Sequence, residues 1–209
     1  FGSGNPSPQM ADTSRPGDNL YTSSLIALDL KTGRRVWHHQ QVPHDRWGYD
    51  VASPPVLLEI EHGGARVPAV AQASKLGWVY VHDRRDGRLL FKSDAFVPQK
   101  NLFTPPQPGD GVVVAPGIAG GANWSPAAWD ARRGLFFVAA LHRPTRYTTQ
   151  RATRPDGSVL EYTSAQDADA SWGTLSALDL RRGGRMAWQV KTDEPLIGGV
   201  LATAGGLVF

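Results

Sequence analysis

The sequence contains no cysteine, which excludes a disulfide framework, a thiolate zinc ribbon and a thiol nucleophile while leaving the redox compartment open. Long apolar runs are also missing. Stretches such as Gly134 to Leu141 fall far short of the roughly 18 residues a membrane-crossing helix needs. Neither sign of charge dominates: 22 Lys and Arg are interspersed with 19 Asp and Glu, for a net charge of +3, the pattern of a mixed solvated surface rather than of an anion-binding face. The six histidines form no H-E-x-x-H arrangement, no G-x-S-x-G elbow occurs, and Gly117, Gly120 and Gly121 do not make a dinucleotide fingerprint, so zinc hydrolase, serine hydrolase and nicotinamide chemistry are not supported. What the chain does have is 41% hydrophobic residues and 23 Gly and 16 Pro spread over 209 positions. That composition suits many short strands joined by turns.

An internal repeat organises those turns. Asp, three residues and Gly occur at Asp29 and Gly33, Asp83 and Gly87, Asp130 and Gly134, and Asp179 and Gly183, with successive Asp residues 54, 47 and 49 positions apart. Strand-like runs precede the motif at Ser24 to Leu30, Gly77 to Asp83 and Thr174 to Leu180, and a second apolar stretch follows it, clearest in Leu135 to Leu141. The motif therefore sits where a tight turn reverses the chain, Gly supplying positive φ and Asp accepting turn amides. Trp37 and Phe91 lie four residues past the Gly, Trp188 lies one place late, and the third copy has Val138. A ring at a fixed place in each sheet can pack on the next sheet. Units of about fifty residues built from antiparallel strands predict an all-β fold, a β-propeller of which this length holds about four blades. The chain starts at Phe1 without an initiator Met and stops at Phe209 inside an apolar run. Residues 1–209 are accordingly expected to form a partial propeller domain, truncated at both ends and folding poorly alone because interblade stacking would be incomplete.

The first repeat, Ala27-x-Asp29-x-x-x-Gly33-x-x-x-Trp37, resembles the tryptophan-docking motif of the quinoprotein dehydrogenases, enzymes carrying pyrroloquinoline quinone (PQQ). Around it, in that family's order, lie Gly4-Asn5-Pro6-Ser7-Pro8, Arg15-Pro16-Gly17-Asp18-Asn19, Pro43-His44-Asp45-Arg46-Trp47, Gly120-Gly121-Ala122-Asn123-Trp124-Ser125-Pro126 and Thr203-Ala204-Gly205-Gly206-Leu207-Val208-Phe209. The resemblance covers essentially the whole chain. It implies part of an eight-bladed ring, an alcohol, polyol or sugar as substrate, PQQ and Ca²⁺ as cofactors, cytochrome c or a membrane quinone as electron acceptor, and a periplasmic location. Aromatic residues interleaved with Arg follow the repeat, so core packing accounts for them and no nucleic-acid partner is expected.

By resemblance, Asn5 is the expected metal ligand, a neutral amide oxygen suiting a hard cation, with an ordinary turn Asn before Pro6 as the other reading. Lys75 falls where the family presents a cation to the quinone oxygens, and Asn123 and Trp124 where it contacts the cofactor; for Trp124 a place in the core is the competing reading. The family's catalytic Asp directly follows the Trp equivalent to Trp47, and here that place is Gly48. Asp50, two residues on, would project from the same face if the segment were extended. Three roles stay open for it: catalytic base, ion ligand, or cap of a turn before Ser53-Pro54-Pro55. Asp45 is the second carboxylate candidate, with turn stabilisation as its other reading. Ile197 replaces the Trp usual before the equivalent of Gly198-Gly199, which weakens any cofactor contact there. A non-catalytic propeller serving as a binding scaffold, with Gly48 marking lost chemistry, is the alternative function.

Overall fold

The computed structural model describes residues 1–209 as four antiparallel sheets with two single-turn 3-10 segments. Strands β1 (Ser24–Leu28) and β2 (Arg35–Gln40) pair with each other, and Phe1–Ser3 runs along the free edge of β1 through the Gly2–Leu25 bridge. A complete four-stranded meander follows: β3 (Val56–His62), β4 (Ala65–Ala73), β5 (Val79–Asp83) and β6 (Leu89–Lys92). The second four-stranded sheet takes β8 (Ala128–Asp130), β9 (Leu135–His142), β12 (Trp172–Asp179) and β13 (Arg185–Thr192) in that order. Between them the chain spends three strands on something else. β7 (Val112–Val114), β10 (Thr145–Thr153) and β11 (Val159–Asp167) form a separate sheet in the order β11-β10-β7, a hairpin arm inserted between β9 and β12.

This insertion changes the meaning of the repeat. The turns carrying Asp29, Asp83 and Asp179 join β1 to β2, β5 to β6 and β12 to β13, but Asp130 lies in the β8–β9 turn of the same sheet as Asp179. The near-constant spacing of the last two copies is thus a within-sheet distance, and the arm accounts for the extra length. At the three equivalent turns the register is the same: Ala27 opposes Trp37, Val81 opposes Phe91 and Ala177 opposes Trp188. Trp188 is one place late in sequence only because its turn is longer, with the 3-10 turn Leu180–Arg182 followed by left-handed Gly183.

Sheet faces alternate, so each blade binds both neighbours. Ala69, Ala71 and Ala73 of β4 and Val79 and Val81 of β5 pack with Phe136, Val138 and Ala140 of β9 in the larger buried cluster. The run of alanines lets the two complete blades approach closely. Truncating Phe136, which is fully buried, would remove about 3–5 kcal/mol from this interface. The opposite face of β5 carries Tyr80 and His82, which meet Trp37 and His39 of β2. Here the docking expected from the motif is visible: the indole of Trp37 lies on Gly87, where a Cβ would come within 2.6 Å of the ring, and its Nε1 donates to the Arg84 carbonyl at 2.9 Å.

The antiparallel order has a positional consequence. The Asp-x-x-x-Gly turns all sit at one end of the sheets, while the β2–β3 and β4–β5 connections, the segment leading into β8 and the base of the arm sit at the other. That second end gathers the candidate site residues.

Candidate functional site

The site is built around the β2–β3 connection, residues 41–55. Asp45 is fully buried there and folds the loop around itself: its Oδ1 accepts the backbone N–H groups of Trp47 and Gly48, each at 3.0 Å. The turn-stabilising reading of Asp45 is therefore its observed geometry, and it does more. Its Oδ2 accepts from Asn5 Nδ2 at 2.7 Å and from Ser23 Oγ at 3.3 Å, and its carbonyl accepts from Arg15 Nη2 at 2.5 Å. Arg15 also donates to the carbonyls of Pro8 and Gln9 and to Asn19 Oδ1, tying the N-terminal segment to the loop. Burial lowers the Arg15 pKa, with the charge of Asp12 opposing that shift.

Aromatic residues fix the rest of the loop. Trp47 and Tyr49 stack at 6.2 Å, Trp47 Nε1 donates to the Thr104 carbonyl, Tyr49 Oη donates to the Pro116 carbonyl and Tyr147 Oη donates to the Trp47 carbonyl. Both phenols are buried, and desolvation raises their pKa far above the ordinary value. They remain neutral donors. Tyr147 belongs to β10, so the base of the inserted arm is part of the floor of the site.

Lys75, in the tight β4–β5 connection, reaches across this floor. Its Nζ lies 2.6 Å from Asp50 Oδ1 and donates to the carbonyls of Gly48 at 2.9 Å and Ile118 at 3.1 Å. An ammonium has three N–H donors, and two of them are engaged by these carbonyls. The Asp50 contact is an ion pair rather than an aligned hydrogen bond, because Oδ1 has no donor in line with it. Both side chains are about nine-tenths buried, at 10% and 11% exposure, a setting in which the pair is costly to break from one side. Gly120 packs against the Lys75 stem, a Cβ there falling 2.3 Å from Lys75 Cγ, and Gly121 N–H donates to the Lys75 carbonyl. The glycine-rich segment before Asn123 is thereby explained as a close approach to Lys75.

Contrary to the expectation for an extended segment, Asp50 does not share a strand face with the place of the missing carboxylate, since Gly48 has φ +92°. Asp50 reaches the site through Lys75 instead. Nor is the place of the missing carboxylate open: a Cβ on Gly48 would fall 2.6 Å from Gln9 Nε2 and 2.8 Å from Ile118 Cγ1. Asn123 is partly buried, and its Oδ1 is an inaccessible oxygen without a donor, an atom prepared for a partner that the chain does not supply. Trp124 is 72% exposed, which rules out the core-packing reading for it within this chain. Ile197 is exposed as well. Asn5, Asp45, Gly48, Asp50 and Lys75 thus form one connected cluster, with Asn123 two residues beyond the Gly121 contact. Gln9, Arg15 and Tyr147 were not singled out by sequence reasoning; only the Arg15-Pro16-Gly17-Asp18-Asn19 segment carried a signal for any of them.

Comparison with known proteins agrees with the fold. Residues 1–102 match the family described as PQQ: Glucose/ethanol/alcohol dehydrogenase, beta-propeller domain. The chain is 33% identical to the quinoprotein alcohol dehydrogenase PedH of Pseudomonas putida over 232 aligned residues, covering 100% of this chain and 38% of that protein. It is 28% identical to the lanthanide-dependent methanol dehydrogenase of Methylacidiphilum fumariolicum, covering 100% and 37% respectively. Among solved structures it superposes on the quinohemoprotein alcohol dehydrogenase of Comamonas testosteroni with a TM-score of 0.82 at 28% identity, over 100% of this chain and 35% of that one. The chain spans little more than a third of the length of these relatives. In sequence and in fold, the chain is similar to the quinoprotein alcohol dehydrogenases, and its first half matches their β-propeller domain.

Proposed function

We propose that this chain is part of a PQQ-dependent dehydrogenase that oxidises the CH–OH group of an alcohol, polyol or sugar. On this reading residues 1–209 contribute a section of a larger, eight-bladed ring. The protein works in the periplasm and passes electrons to cytochrome c or a membrane quinone. The observation that carries the proposal is the convergence, at one end of the sheets, of a buried carboxylate network, a buried Lys–Asp pair and an unpartnered amide oxygen. When bound, PQQ supplies the two-electron acceptor and a hard cation, Ca²⁺ in our reading, supplies positive charge beside it.

The residues present fit these groups in two places. The amide oxygen of Asn123 is buried without a donor and offers an acceptor to the cofactor. Asn5 turns its amide nitrogen to Asp45, leaving its amide oxygen for the cation. Asp50 is the carboxylate that receives the alcohol proton. Lys75 holds it in place through the 2.6 Å contact, and contributes positive charge to the reduced cofactor's surroundings without needing a free donor. Trp124, exposed in this chain, offers a flat apolar face to the cofactor.

The scaffold reading has one observation in its favour, the filling of the Gly48 site by Gln9 and Ile118. Reconstituting the full-length protein with PQQ and Ca²⁺ and assaying it with an artificial electron acceptor separates the two. Asp50→Asn is expected to retain bound PQQ by absorbance while turnover falls by about 10²–10⁴, the range for loss of a general base. Unchanged turnover removes Asp50 from the mechanism, and failure of the wild-type protein to take up PQQ supports the scaffold.

A further inference from the structure

Asp45 carries no assigned chemistry, yet it is the most completely satisfied carboxylate in the molecule, fully buried and accepting from Asn5, Ser23, Trp47 and Gly48. We infer that Asp45 is a positioning residue that dictates which end of the Asn5 amide faces the cation. Donors and acceptors decide the orientation. An ionised carboxylate can only accept, whereas an amide carries a donor nitrogen at one end and an acceptor oxygen at the other. With Asp45 Oδ2 at 2.7 Å, the nitrogen must turn inward and the oxygen outward. A flipped amide would set oxygen against oxygen inside the fold and present N–H groups to a cation.

Asp45 therefore converts an Asn, which is indifferent to its own orientation, into a ligand with its oxygen presented before the ion arrives. Outer partners of this kind typically account for a tenfold to hundredfold share of metal affinity. The same carboxylate closes the turn that begins the Trp47 to Asp50 segment, so the placement of Asn5 and of Asp50 depends on one buried group. Arg15 anchors that group through its backbone carbonyl rather than through the carboxylate, leaving both carboxylate oxygens for the loop and for Asn5.

This inference rests on the reading of Asn5 as a cation ligand, and the experiment separates the two. Terbium(III) is titrated into the full-length protein, with affinity read from luminescence sensitised by the aromatic residues, and bound water counted from lifetimes in H₂O and D₂O. Asn5→Ala is expected to weaken terbium binding by about tenfold or more and to admit one extra water. Asp45→Asn, whose new amide can donate to the Asn5 oxygen, is expected to show both changes, and adding Asn5→Ala to it should produce little further loss. If Asn5→Ala leaves affinity and hydration unchanged, the ligand reading itself fails. If Asn5→Ala has its effect while Asp45→Asn binds terbium with wild-type affinity and hydration, the positioning role is overturned and the ligand survives. Should Asp45→Asn not fold, a crystal structure of the wild-type protein with terbium decides: the Asn5 nitrogen on Asp45 with its oxygen on the ion supports the inference, and an ion seated on the Asp45 carboxylate overturns it.

Discussion

Gly87 and Gly48 both have positive φ, at +77° and +92°, and at both a Cβ would meet another atom at 2.6 Å. They belong to different kinds of region. Gly87 is part of a repeating seam, and the atom it would meet is Trp37, the ring that the same motif places on the preceding blade. Gly48 is part of the site, and what fills the space beside it is Gln9 and Ile118, two residues with no place in the repeat. The lack of room at Gly87 comes from the packing rule of a propeller, and the lack of room at Gly48 from the local packing of one loop.

The comparison can be broken most forcefully at the seam. Gly87→Ala combines left-handed strain with overpacking against Trp37 and is expected to cost about 3–5 kcal/mol in denaturant unfolding. Gly33→Ala, at φ +69° with nothing within 4 Å, isolates the backbone contribution and should cost only about 1–2 kcal/mol. Equal losses at the two positions would show that the Trp37 contact adds nothing.

Acid should weaken the same seam by a little less. His82 is fully buried between Gly87 and the rings of His39 and Tyr80, and its pKa is lowered to about 4 by desolvation first and the neighbouring His39 second. Unfolded, it protonates near 6.5. The unfolded chain thus binds the extra proton between these values. The contribution of neutral His82 is complete above about pH 6.5, is lost as pH falls towards 4, and levels off below. At 1.36 kcal/mol per unit this amounts to about 3 kcal/mol. His39 is shifted in the same direction, chiefly by burial. Stability measured from pH 7 to 4 should show this slope, and His82→Phe should flatten it.

At the site, Gly48→Asp is expected to cost about 2 kcal/mol and not to raise turnover, since the new side chain must expel Gln9. Adding Gln9→Ala should recover part of the loss; a gain in activity from Gly48→Asp alone would show that the loop readily opens. The smallest effect belongs to the arm. Arg151 and Glu161 form an exposed pair across β10 and β11, and Arg151→Ala should change stability by less than about 0.5 kcal/mol.

The seam was legible in the sequence and the loop only partly so, for physical reasons. A turn with a fixed Asp, a left-handed Gly and a ring four residues later is a local signal repeated several times, so it identified the β1–β2, β5–β6 and β12–β13 turns. The arm escaped notice because β10 and β11 alternate like blade strands, and nothing local distinguishes a strand that joins a blade from one that leaves it. For the same reason the Asp130 turn passed for a separate unit. Asn5, Lys75, Asp50 and Asn123 stand out in the sequence by their place in motifs. Motifs do not show that Lys75 is held by the Gly48 and Ile118 carbonyls, or that Gln9 lies beside Gly48, because those facts depend on contacts between segments 27 to 43 residues apart.

The inserted hairpin has a consequence for how such a protein can diversify. Its root is fastened to the candidate-site end by Tyr147 and by Thr145, whose Oγ1 accepts from Ile118 N–H, while the outer portion around Arg154 to Ser158 makes only its own turn contacts. Length or composition can therefore change at the tip without a single interblade contact having to be renegotiated.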